Sequence, residues 1–133
     1  MSRFSGIRKL TFLHYWLPLL LYIGMIFFLS SLPLGAMMEE VELPDKLIHA
    51  VEYSVLPILF FRFLLFAAPR RTFSKYYFWL GIMFAAVVAI GDELYQSHVP
   101  TRTMDFYDFL ADLTGIGLTA LGWFIWRQWR RQN

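Results

Sequence analysis

The feature that most constrains this chain is an uncharged run from Leu10 to Leu34. It exceeds the ~20 apolar residues that a helix needs to cross a bilayer. Three further apolar stretches follow, at about 47–68, 76–96 and 106–126. The basic start (Arg3, Arg8, Lys9) and the small residues Ser30 and Ser31 also fit a cleaved signal peptide. The apolar core is longer than a signal's hydrophobic region, so a retained span over about 12–32 is expected. At 58% hydrophobic and 20% aromatic over 133 residues, with mean hydropathy +0.49, the chain carries more apolar surface than a soluble domain this size could hide. The expected fold class is all-α: one domain, residues 1–133, folded as a four-helix transmembrane bundle. With no Cys, disulfide frameworks and thiolate metal sites are excluded. No repeat or low-complexity segment stands out.

Local signals set the expected helix limits. Pro18 lies near the start of the first span, and Pro33 and Gly35 end it. An acidic stretch with Glu39, Glu40 and Glu42 leads to Asp45, a good N-cap, so the second helix is expected to begin there and run to about Ala68. It carries Pro57 midway and Arg62 near its far end. Pro69-Arg70-Arg71 breaks it. The third helix is expected over Tyr76–Gln96 and the fourth over about Asp105–Trp126.

Four spans put both termini on one side. Lys and Arg fall three in the N-terminal tail, three at Arg70, Arg71 and Lys75, and three at Arg127, Arg130 and Arg131, nine against only Lys46 and Arg102 in the other two loops. By the positive-inside rule this puts the termini in the cytoplasm. Arg62 can snorkel to the same boundary. There, Tyr76, Tyr77, Trp79, Trp123, Trp126 and Trp129 would form an aromatic belt.

Every acid then lies on the outer side. Asp105, Asp108, Asp112 and Gly115 step by three, four and three, so they share one helix face, as do Glu93 and Gln96. His49 follows Asp45 by one turn and precedes Glu52 by another. Asp45, Glu52, Asp92, Glu93, Asp105, Asp108 and Asp112 face only Lys46 and Arg102, seven acids against two bases. Residues 45 to 52 and 105 to 112 each descend about 10 Å of helix. A charge at that depth costs roughly 3 kcal/mol unless it is paired, hydrated, protonated or accompanied by a cation. Small residues lead toward these acids: Gly81, Ala85 and Ala89 run to Glu93, while Ala111, Gly115 and Thr119 flank Asp112. Such seams let helices approach closely in lipid. The expected polar cleft, open to the outer face, comprises Asp45, Lys46, His49, Glu52, Glu93, Gln96, Arg102, Asp105, Asp108 and Asp112. Arg102, in the turn six residues after Gln96, is expected to reach Glu93 and Asp108, tying the mouth shut or offering donors to an anionic headgroup.

Several motifs occur in order along the chain: Ser30-Ser31-Leu32-Pro33, Asp45-Lys46-Leu47-Ile48-His49, Glu93-Leu94-Tyr95-Gln96, Pro100-Thr101-Arg102, and Asp108 with Gly115. This set, covering about residues 25–120, resembles the VanZ-like family, named for a teicoplanin-resistance membrane protein. Thr101 stands where that family usually has Gly, and Asp112 where it usually has Asn, which adds a buried acid. The resemblance implies a small membrane protein of the cell envelope, in the founding case linked to tolerance of a lipid-tailed glycopeptide, with no established chemical mechanism.

Three classes of function fit. The first is binding or handling of a lipid-linked or amphiphilic envelope molecule in the polar cleft. The second is a proton-coupled exporter, although the acids lie at one end rather than near mid-bilayer. The third is an intramembrane hydrolase with a metal on His49 and carboxylates. One His among acids is not a recognised ligand spacing, so no metal set and no cofactor is assigned. His49 reads equally as a hydrogen-bonded structural residue, Asp45 as a cap, and Lys46 and Arg102 as counter-charges. His14 and His98 read as interfacial. The partners expected are the lipid bilayer of the bacterial inner membrane and an envelope amphiphile, with no nucleic acid and with a homo-oligomer left open.

Overall fold

A computed structural model describes residues 2–32, 42–67, 75–100 and 102–132. Four α-helices follow one another: α1 (Ser2–Ser31), α2 (Glu42–Ala67), α3 (Lys75–Gln96) and α4 (Phe106–Gln132). Among the described residues there is no strand, and all four helices are long and apolar enough to cross a membrane. The chain is a multi-pass, all-helical membrane bundle. Its outward faces are apolar: Leu17, Leu21, Phe28, Met83, Val87, Leu118 and Ile125 are exposed, as lipid contact requires.

The helices run longer than the sequence signals suggested. α2 begins at Glu42, so Asp45 lies inside the helix instead of capping it. Pro44 falls in the first turn, where a missing N–H costs nothing. α4 continues past Trp126 to Gln132, with Arg130 and Arg131 in its last turn, where cations oppose the helix dipole favourably. Asp105 is its true N-cap, its Oδ1 accepting from Tyr107 N–H at 2.8 Å. Both α1 and α2 continue through their internal prolines. The expected stops at Pro33 and Gly35, the break at Pro69 and the acids Glu39 and Glu40 lie outside the described residues, as does Thr101.

α2 packs against all three other helices. Close approach comes from small residues. A Cβ at Gly81 would meet the Pro57 carbonyl at 3.0 Å, and one at Gly115 would run into the Ala50 carbonyl. Thr119 Oγ1 donates to the Ser54 carbonyl at 2.5 Å, extending the same α2–α4 seam. The apolar core consists of Leu19, Ile26, Tyr53, Leu56, Ala85, Ala89 and Ile116. Toward the other end, aromatic rings take over. Trp123, expected in the boundary belt, turns inward and stacks on Phe78 with centroids 4.8 Å apart, while Phe61 meets its edge at 5.0 Å. Trp79, Trp126 and Trp129 remain exposed. Arg62 sits over the Tyr15 ring and bonds His14 Nε2 at 2.8 Å.

Candidate functional site

The end of α1, the start of α2, the end of α3 and the start of α4 meet at one end of the bundle, and the chain's described acids gather there. The site has three tiers. In the outermost, Lys46 lies between Asp105 and Asp108, with Nζ 3.7 and 3.6 Å from their carboxylates. Arg102 Nη1 lies 3.6 Å from Asp45 Oδ2. The tie expected from Arg102 to Glu93 and Asp108 is therefore not made. Lys46 is the base that meets Asp108, and Glu93 Oε2 instead accepts from the Asp105 backbone N–H at 3.2 Å. The physical reason is the turn after α3, closed by bonds from Ser97, His98 and Val99 N–H back onto Glu93, Tyr95 and Gln96 carbonyls. Arg102 N–H donates to the Val99 carbonyl, and its side chain reaches the start of α2.

In the middle tier, His49 Nδ1 and Asp112 Oδ1 share a hydrogen bond of 2.9 Å between α2 and α4. Both side chains are buried, 4% and 0% exposed, so this pair is shielded from water and salt. The imidazole is central to the site: besides its bond to Asp112, its nitrogens lie near carboxylate oxygens of Glu93, Asp45 and Asp108. Ligand-type atoms of His49, Glu93 and Asp112 lie within 4.8 Å of one another, as do those of Asp45, His49 and Asp108. Sequence spacing hid the first triad because its members come from three different helices.

The deepest tier holds Glu52, Asp92 and Gln96. Gln96 Nε2 donates to Asp92 Oδ2 at a long 3.4 Å, and Ser30 and Tyr53 lie against the same carboxylate. Tyr22 of α1 donates to the Glu52 backbone carbonyl at 3.1 Å. Asp92 is counted among the acids of the outer end in the sequence but not among the ten cleft residues, and Ser30 and Tyr53 are in neither set. The i, i+4 spacing of Asp92 and Gln96 is a usable signal, and Ser30 opens the first of the ordered motifs; nothing in the sequence points to Tyr53.

All ten expected residues are thus brought to one region, but the arrangement is a packed polar core and not an open cleft. His49, Glu52, Asp92, Glu93, Gln96, Asp108 and Asp112 are all buried. Glu52 Oε1, Glu93 Oε1, Gln96 Oε1 and Asp112 Oδ2 lack a hydrogen-bond partner within the protein. Buried polar atoms are rarely left so, because each unmet group carries its full desolvation penalty. One small groove of about 100 Å³ touches the site, formed by Ile90, Glu93, Leu94, Met104, Phe106 and Phe109. A larger apolar cavity of about 350 Å³, with Pro57, Phe61, Phe78 and Trp123 in its wall, lies away from the acids. His14 and His98 take no part: His98 bonds the Leu94 carbonyl at 2.7 Å and is exposed. Comparison with family models, with curated proteins and with solved structures gives no match to this chain.

Proposed function

We propose that this chain is a small multi-pass protein of the bacterial cytoplasmic membrane, of the VanZ-like kind, that binds or handles a lipid-linked or amphiphilic molecule of the cell envelope. Its termini are cytoplasmic, on the charge asymmetry of nine bases against two, and its acidic end faces outward. The kinship rests on the ordered motifs from Ser30 to Gly115.

The observation that carries the reading is the groove between α3 and the start of α4. Its walls are apolar (Ile90, Leu94, Met104, Phe106, Phe109), and Glu93 lines it with its carboxylate buried behind them. An amphiphile matches this combination. An alkyl or aryl portion lies against Met104 and the phenylalanines from the lipid side, and a hydrogen-bonding or cationic group reaches the Glu93 carboxylate once the side chains covering it rotate aside. Ion-paired Lys46 and Arg102 stand at the outer rim, where an anionic headgroup would pass them.

The test is native mass spectrometry of protein extracted from membranes in mild detergent. Wild type is expected to carry an amphiphile-sized adduct. Ile90→Trp, which fills the groove without altering a carboxylate, is expected to lose it. No adduct on wild type, or the same adduct on both proteins, removes this reading.

A further inference from the structure

We propose that His49, Glu93 and Asp112 form a binding site for a single divalent transition-metal ion of the Mn²⁺, Fe²⁺ and Zn²⁺ class. Each of α2, α3 and α4 supplies one ligand, the manner in which helix bundles build metal sites in their cores. The inference does not depend on an amphiphile occupying the groove.

Geometry is the first support. The ligand-type atoms of the three residues lie within 4.8 Å of one another. Adjacent ligands on an ion at about 2.1 Å are roughly 3.0–3.4 Å apart, so small side-chain rotations close the set. The 2.9 Å between His49 Nδ1 and Asp112 Oδ1 is already close to that spacing. On binding, the ion takes the place of the proton these two atoms share, and that proton leaves to solvent.

A second, independent observation points the same way. Glu93 and Asp112 are 2% and 0% exposed, yet Glu93 Oε1 and Asp112 Oδ2 have no hydrogen-bond partner within the protein. Their other oxygens are engaged, by the Asp105 backbone N–H and by His49. That leaves an acceptor on each carboxylate for a cation. Charge balance agrees. Glu52, Asp92, Glu93, Asp108 and Asp112 are all buried, and Lys46 offsets only Asp108 among them. An ion of charge two that displaces the proton shared by His49 and Asp112 adds one net positive charge among carboxylates that Lys46 and His49 only partly offset.

The donor set decides the class of metal. An imidazole with two carboxylates suits Mn²⁺, Fe²⁺ or Zn²⁺, whereas an imidazole is a poor ligand for Ca²⁺ and Mg²⁺. The competing triad, Asp45, His49 and Asp108, is less suited: Asp45 is partly exposed and Asp108 already faces Lys46.

The experiment uses the full chain in detergent, stripped with a chelator, exchanged into metal-free buffer and titrated with MnCl₂ under electron paramagnetic resonance. The free-ion signal is expected to disappear up to one equivalent, and the bound ion to show nitrogen modulation from a single imidazole. The near-isosteric changes Asp112→Asn and Glu93→Gln should each weaken binding by at least about tenfold. Asp108→Asn should weaken it far less. If a carboxamide variant does not fold, wild-type stoichiometry and nitrogen modulation decide the matter. No uptake of Mn²⁺ by wild type, uptake without nitrogen modulation, or a greater loss in Asp108→Asn than in Asp112→Asn overturns the assignment.

Discussion

Arg102 holds its charge on a side chain that is 8% exposed, facing Asp45 across 3.6 Å, with its Nε unpartnered within the protein. A guanidinium so enclosed depends on its neighbour, while Asp45, 19% exposed, can be rehydrated if the pair is broken. Arg102→Gln is therefore expected to lower stability by about 1–3 kcal/mol, less than the loss of one partner from a fully buried pair. Arg102→Lys should recover part of this, since it keeps the charge and loses the planar fork. Thermal unfolding in detergent is the measurement, and equal melting of Arg102→Gln and wild type would sink the idea of a tie at this rim.

At the scale of whole helices, the α2–α4 seam sets the register that joins His49 to Asp112. Gly115 lets the two backbones touch, because any side chain there would run into the Ala50 carbonyl. Gly115→Ala is expected to cost about 1–3 kcal/mol or more through overpacking. Gly117→Ala meets nothing within 4 Å and should be neutral or stabilising by up to about 1 kcal/mol, since Ala is the better helix former. Comparing the two variants by unfolding in mixed detergent isolates contact from propensity; indistinguishable effects would remove the seam argument. Much of this seam was legible in the sequence: Ala111, Gly115 and Thr119 recur every four residues beside Asp112. Its partner was not legible, because a backbone carbonyl has no side-chain signature. The same contrast holds for the site. Asp105, Asp108 and Asp112 declared a common face by their spacing. The bond from Asp112 to His49 depends on how α2 and α4 are rotated against each other, which no local pattern records. The partner of Arg102 was misjudged because the turn after Gln96, closed by its own backbone bonds, aims the side chain at α2.

Over the molecule as a whole, charge is segregated. One end holds carboxylates and their few bases, and the other holds stacked rings such as Phe78 on Trp123, with Arg130 over Trp126. If the termini are cytoplasmic, as proposed, a reporter that works only in the cytoplasm should be active when fused after Asn133 and silent when inserted near Met38. The reverse pattern would invert the bundle and close the outer route to Glu93. The depth of the acids adds a further consequence. Asp112 lies seven residues, about 10 Å, along α4 from its cap at Asp105, roughly a third of a ~30 Å hydrocarbon core. A divalent ion descending to it from outside crosses that share of the membrane voltage. At about 2.3 kcal/mol per charge per 100 mV for a full crossing, the gain is roughly 1.5 kcal/mol, or about tenfold in occupancy. An energised membrane would then hold the ion more tightly than a depolarised one, making the bundle responsive to voltage with no charged helix having to move.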